Sequence, residues 1–121
     1  MASACVLVVE DDTDIREGLL DTLTDNGYQS VGAANGRDAL ASLRTGGALP
    51  CMILLDIMMP VMDGTAFREE QLRDPNLAEI PVILLSAHRD VAERAKTLKV
   101  AAYLEKPLNV KDLLDLAHEY C

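Results

Sequence analysis

Four short apolar runs in this chain each lead straight into side chains suited to chemistry. Val6-Leu7-Val8-Val9 ends at Glu10-Asp11-Asp12, and Met52-Ile53-Leu54-Leu55 ends at Asp56. Val82-Ile83-Leu84-Leu85 ends at Ser86, and Ala101-Ala102-Tyr103-Leu104 runs through Glu105 to Lys106-Pro107. Runs of Val, Ile and Leu without polar alternation read as strands covered on both faces, the condition a parallel sheet imposes. Ligands of open α/β sheets sit beyond the carboxyl ends of the strands. Three acidic positions, a hydroxyl and a lysine are therefore expected on one edge of one sheet.

The segments between the runs supply the helices. Thr13 or Asp12 caps a first helix with Ile15, Leu19 and Leu23 at four-residue spacing, and Asn26-Gly27 stops it. Tyr28 to Ala33 is a weaker second strand. Asn35-Gly36 then opens a helix carrying Ala39, Leu40 and Leu43, which Gly46-Gly47 ends before Pro50. Pro60 and Asp63-Gly64 mark a loop ahead of a third helix near 65–73, broken by Asp74-Pro75. Pro81 sets the start of the fourth strand, and a polar helix near 90–99 follows Ser86-Ala87-His88. Asn109 caps a last helix with Val110, Leu113, Leu114 and Ala117 facing inward. Five alternating strand–helix units demand a parallel sheet with helices on both faces, and no linker or repeat divides residues 1–121.

The chain has 121 residues, half of them hydrophobic, which suffices for one core. No apolar run approaches the roughly 20 residues of a bilayer span. Met1-Ala2-Ser3-Ala4 leads directly into the first strand, so no secretory leader is expected. Cys5, Cys51 and Cys121 are an odd number, far apart, and without a C-x-x-C pair. Buried free thiols and a reducing cytoplasm are the expectation, rather than zinc or a disulfide. A net charge of −9 argues against nucleic acid and anionic membranes as partners.

Taken singly, the polar residues have plain explanations: a helix cap, a turn aspartate, a surface lysine. Their shared strand ends change that. At an effective dielectric near 20, two carboxylates about 4 Å apart repel by about 4 kcal/mol, so a cation must compensate. Lys106 neutralises one charge, and Mg²⁺, which takes carboxylates, waters and phosphate oxygens, suits the rest. Carboxylates, Mg²⁺, a lysine and the Ser86 hydroxyl are equipped to receive a phosphoryl group. There is no G-x-x-x-x-G-K-[ST] loop, and no histidine ends a strand, which leaves a carboxylate as nucleophile.

Over its whole length the chain resembles the receiver domain of two-component response regulators, and is similar to the single-domain chemotaxis-type members. The resemblance rests on Val8-Val9-Glu10-Asp11-Asp12, on Leu55-Asp56-Ile57-Met58-Met59-Pro60-Val61-Met62-Asp63-Gly64, on Leu84-Leu85-Ser86-Ala87 and on Tyr103-Leu104-Glu105-Lys106-Pro107. It implies a flavodoxin-like α/β fold, doubly wound, with five parallel strands in the order 2-1-3-4-5 and five helices. It implies that Asp56 is phosphorylated by a histidine kinase or histidine phosphotransfer protein, and that Asp11, Asp56 and the main-chain carbonyl of Met58 bind Mg²⁺, with Glu10 assisting through water. Lys106 would pair with the phosphoryl group and precede a cis Pro107, while Ser86 and Tyr103 would act as the switch. The face of the fourth helix, fifth strand and fifth helix would then change for a protein partner. Inverting such an equilibrium from 1:99 to 99:1 takes about 5.5 kcal/mol.

Met58, Ala87 and His88 occupy positions that modulate the reaction in relatives, and Met58 is bulky enough to slow hydrolysis. Val100-Ala101 stands where many members have Gly-Ala, and a β-branched residue resists the left-handed conformation, so that loop is expected to differ. Leu98, Val100, Tyr103 and Val110 are candidates for the output face. Two other readings stay open: a phosphorylation-independent interaction domain with a relict pocket, and a small aspartate-dependent phosphohydrolase. The latter is expected to carry an acid two residues beyond its nucleophile, where this chain has Met58. The last helix runs close to Cys121, leaving no output domain in these residues; a stand-alone regulator and a piece of a longer protein both fit.

Overall fold

Strand positions alternate between two apolar layers, which is why the runs look continuous in sequence. In a computed structural model describing residues 5–45, 47–59 and 61–121, Leu7, Val9, Ile53, Leu55, Val82 and Leu84 face one layer. Val6, Val8, Met52, Leu54, Ile83 and Leu85 face the other. The strands are β1 (Cys5–Val9), β2 (Gln29–Ala33), β3 (Met52–Asp56), β4 (Val82–Ser86) and β5 (Ala102–Glu105). They form one sheet in the order β2-β1-β3-β4-β5, every neighbouring pair parallel. The expected fold is the observed one. Gly46 and Pro60, expected in loops, lie outside the described residues, as do residues 1–4.

Helices α1 (Thr13–Asp25) and α5 (Val110–Tyr120) cover one face through Leu19, Leu23, Leu113 and Ala117. Helices α2 (Gly36–Leu43), α3 (Gly64–Arg73) and α4 (Val91–Leu98) cover the other through Ala39, Leu40, Leu43, Phe67, Val91 and Ala95. Local chemistry sets the helix starts: Asp12, Asn35, Asp63 and Asn109 each accept a first-turn amide through their side chains. Gly36 brings the start of α2 against the loop after β3, its N–H donating to Val61 O at 3.3 Å and Met62 O at 3.2 Å. A Cβ on Gly36 would lie 2.5 Å from that Met62 oxygen, so only glycine permits the approach.

Several expectations need correction. Cys51 and Cys121 form a disulfide across 70 residues with Cα atoms 5.4 Å apart, leaving Cys5 as the free thiol. The cause is topological: α5 runs back along the sheet and delivers its end to the edge where β3 begins. The pairing removes the cysteine argument for a reducing compartment. Helix α2 stops at Leu43 with Arg44 as its cap, before the glycine pair. Val110 is 53% exposed and Ile15 37%, so neither faces inward; both border the groove between α1 and α5. Leu98 and Val100 are half-buried, packed against the layer of α2, α3 and α4. The left-handed residue after α4 is Lys99, with φ of 56°, which spares Val100 that conformation.

Phe67 is the chain's one phenylalanine and is fully buried between α3 and the sheet. Phe67→Ala is expected to lower stability by about 3–5 kcal/mol, read as a reduced urea midpoint at unchanged slope.

Candidate functional site

The strand order reverses between β1 and β3, because β1 connects outward to β2 while β3 connects the other way to β4. The loops leaving β1 and β3 therefore diverge and open a crevice at the carboxyl edge. Glu10 follows β1 with no solvent exposure, and Asp56 closes β3 with 4%. Asp11 stands exposed beside them, and carboxylate oxygens of all three lie within 4.8 Å of one another. Lys106, just beyond β5, reaches across with Nζ 2.6 Å from Glu10 Oε1 and 3.4 Å from Asp56 Oδ2. The Lys106–Pro107 bond is cis, as expected. The residues predicted at the strand ends do converge.

Main-chain donors finish the carboxylates. Glu10 Oε2 accepts from Asp12 N–H at 3.3 Å, and Asp56 Oδ1 accepts from Met58 N–H at 3.1 Å. Gly64 lies so close beneath Asp56 that a Cβ there would sit 2.8 Å from the Asp56 carbonyl oxygen. Ser86 is buried at the end of β4, and its Oγ accepts the His88 N–H at 3.0 Å, turned toward its own loop. Met58, Ala87 and His88 line the mouth of the crevice, a concavity of about 370 Å³. Tyr103, on β5, is 43% exposed and points outward. Asp12 takes no part in the carboxylate cluster; it caps α1.

Arg16 is a participant that residue type alone did not reveal. Its Nη1 donates to the Glu10 carbonyl at 2.7 Å and so fixes the backbone that carries Glu10 and Asp11. The available signal was its place one helical turn after the Asp12 cap, where an arginine reaches back over the strand end.

Three carboxylates against one ammonium leave an excess of two negative charges. Burial, with the neighbouring Asp56 carboxylate, pushes Glu10 above the usual carboxylate range despite its contact with Lys106. Burial and Glu10 likewise raise Asp11. Burial pulls the Lys106 ammonium down, but its bond to Glu10 and the Asp56 charge outweigh that and hold it above an ordinary lysine. Hard oxygen donors in negative excess, with no thiolate or imidazole in the cluster, fit a magnesium ion.

The comparisons agree with this geometry. The family model of the response regulator receiver domain matches residues 6–118. The chain belongs to that family. Similar proteins include a probable transcriptional regulator, ycf27, of Porphyra purpurea, 36% identical over 110 residues, which are 89% of this chain and 43% of that protein. The chain thus spans about half the length of the curated relatives it matches. The Vibrio cholerae chemotaxis protein CheY4 superposes with a TM-score of 0.87 at 31% identity, covering 99% of this chain and all of that one. The receiver domain of the Pseudomonas aeruginosa sensor histidine kinase PA1611, described with magnesium in its active-site cleft, gives 0.86 at 26% identity, covering 98% of each chain.

The raised carboxyls make stability depend on pH. Glu10 binds its proton more tightly folded than unfolded, so its contribution is complete below the ordinary value of 4.5 and is lost as pH rises through the higher folded value. Without divalent ions, urea midpoints should therefore carry a component that falls as pH rises above the ordinary carboxyl value. Glu10→Gln should flatten that fall, with Asp11 supplying what remains.

Proposed function

We propose that this receiver domain is a phosphorylation-controlled signalling switch whose acceptor is Asp56. The observation that carries the reading is Asp56 itself: a nearly buried carboxylate with one oxygen held by a main-chain amide and the other facing Lys106. A carboxylate so oriented can attack the phosphorus of a phosphohistidine while the P–N bond breaks and the imidazole leaves. The donor class is a histidine kinase or histidine phosphotransfer protein. Asp11, Asp56 and the Met58 carbonyl would hold Mg²⁺, with Glu10 behind them. The ion, when bound, supplies the positive charge that lets an anionic donor approach this anionic edge.

The chain's own residues then do the rest. Lys106 exchanges Glu10 for the new phosphoryl oxygens, and Ser86 turns from the His88 amide to donate to another of them. Charge-assisted bonds of this kind are about twice as strong as neutral ones. Loss of the bond to His88 frees the loop leading into α4, and Tyr103, exposed beside it, gains room to turn inward. The face of α4, β5 and α5 is altered for a protein target. The module turns over no diffusible substrate and catalyses only its own phosphorylation and dephosphorylation. Met58, standing where a phosphohydrolase would need an acid, supports the switch over the hydrolase.

The net charge of −9 favours protein partners over nucleic acid or membrane. Among the described residues no helix is long and apolar enough to cross a membrane. A histidine kinase or phosphotransfer donor supports a cytoplasmic location, where the Cys51–Cys121 bond would face a reducing thiol pool.

Incubation with Mg²⁺ and acetyl phosphate should add one phosphoryl mass to the wild type and none to Asp56→Asn. An equal gain in both would refute the assignment of the acceptor. Lys106→Ala should still take up the group yet lose the linked change in amide exchange across residues 86–107. A response matching the wild type's would show that the lysine does not couple the site to the loop.

A further inference from the structure

Five polar or charged side chains are buried among the described residues, and the crevice accounts for Glu10, Asp56 and Ser86. The other two, Arg68 and Gln71, lie one turn apart on α3 and face away from the carboxylates, toward the end of α4. Arg68 is 6% exposed. Its Nε donates to Leu98 O at 3.0 Å, its Nη2 to Lys99 O at 2.8 Å and its Nη1 to Gln71 Oε1 at 2.8 Å. Gln71 in turn donates through Nε2 to Leu77 O at 2.8 Å and Ile80 O at 3.1 Å, tying the pair to the segment that enters β4. No carboxylate lies within ion-pair reach of Arg68 among the described residues. The positive charge is instead met by the last carbonyls of α4, the negative end of that helix.

The opposite end of α4 is built differently. Asp90 takes the capping position but makes no side-chain bond to the first turn; its carboxylate is turned to Arg94 Nε at 2.9 Å. Residues 87–90 are all exposed. Apart from the Asp90–Arg94 bonds inside the first turn, they are tied by the His88 amide to Ser86 Oγ at 3.0 Å and the Val91 amide to His88 O at 3.3 Å. Val91 is buried, but apolar packing has no preferred direction and tolerates sliding that a guanidinium fork does not.

We propose that Arg68 is the positioning residue that pins the C-terminal end of α4, so that switching tilts the helix about Leu98–Lys99 instead of carrying it as a whole. The inference rests on the phosphorylation reading above. When Ser86 leaves the His88 amide, the strain falls on the end with one exposed loop and no cap. Releasing the other end would strand a buried guanidinium and two carbonyls without partners, a far larger cost. The altered surface is then centred on residues 88–94, the half of α4 nearest the crevice, and a partner that senses the switch reads that half.

Amide exchange of the chain with Mg²⁺, with and without beryllofluoride as phosphoryl mimic, tests this. In the wild type, exchange in residues 86–94 should change by about tenfold and in residues 96–101 by less than about twofold. In Arg68→Met both segments should respond, erasing the difference between the ends. Arg68→Lys, which keeps the charge but not the fork, should fall between. Equal responses at the two ends of the wild-type helix overturn the proposal, whether or not Arg68→Met folds. So does an Arg68→Met pattern identical to the wild type's. If beryllofluoride changes nothing in the wild type, the phosphorylation reading fails and this inference with it. If the change at 86–94 vanishes in Asp56→Asn but is matched at 96–101 in the wild type, only the pinned end is wrong.

Discussion

Two buried carboxylates at the edge of a parallel sheet must be held against their own repulsion, and Lys106 holds them. Its ammonium lies within bonding distance of Glu10 and within ion-pair distance of Asp56, joining side chains that follow β1, β3 and β5. β4 lies between β5 and β3, so the lysine loop bridges two strand spacings to reach Asp56 and three to reach Glu10, at about 4.8 Å each. An elongated, flexible cation is the one side chain that can do this and still be displaced. The interaction binds the edge together, and under the proposed switch it is also what a phosphoryl group would have to compete with.

That competition is possible because the sheet beneath is rigid. Every residue of β3 and β4 is buried, and the layers on both faces leave the strand ends no freedom to spread. Glu10 and Asp56 therefore cannot relieve their repulsion by moving apart; they can only recruit positive charge. Burial first, and the neighbouring carboxylates second, push the Glu10 and Asp11 carboxyls above the usual range. Compact, immobile negative charge open to solvent on one side is an arrangement for taking up a small hard cation and an anion together.

Much of this was legible in the residues. Uninterrupted Val, Ile and Leu runs announced strands covered on both faces, and Asp, Asn and Gly placed the helix starts within a residue or two. Ends of parallel strands share an edge by necessity, so Glu10, Asp11, Asp56, Ser86 and Lys106 could be assembled without coordinates. What stayed hidden depends on distance across the fold. Cys51 and Cys121 meet because α5 returns the full length of the sheet, which cysteine spacing does not encode. Leu98 and Val100, at and just past the end of a polar helix, are half-buried against the same layer as Phe67. Arg68 and Gln71 read as ordinary solvated positions in a charged helix. Their one outward sign was their place beside Phe67, on the turn that must face the core.

The two ends of α4 are held by different parts of the fold. One end is governed by the crevice, through the single bond between Ser86 and the His88 amide. The other is governed by α3, through a buried guanidinium that has spent its donors on main-chain carbonyls and Gln71. A helix held firmly at both ends could not report on Asp56, and one loose at both would report indiscriminately. With a buried guanidinium fork at one end and, at the other, an exposed loop joined to the crevice by one side-chain bond, the proposed switch would act on the loop end first. The polarity of α4 follows from where the fold buried an arginine, on the layer of α2, α3 and α4, opposite the layer of α1 and α5.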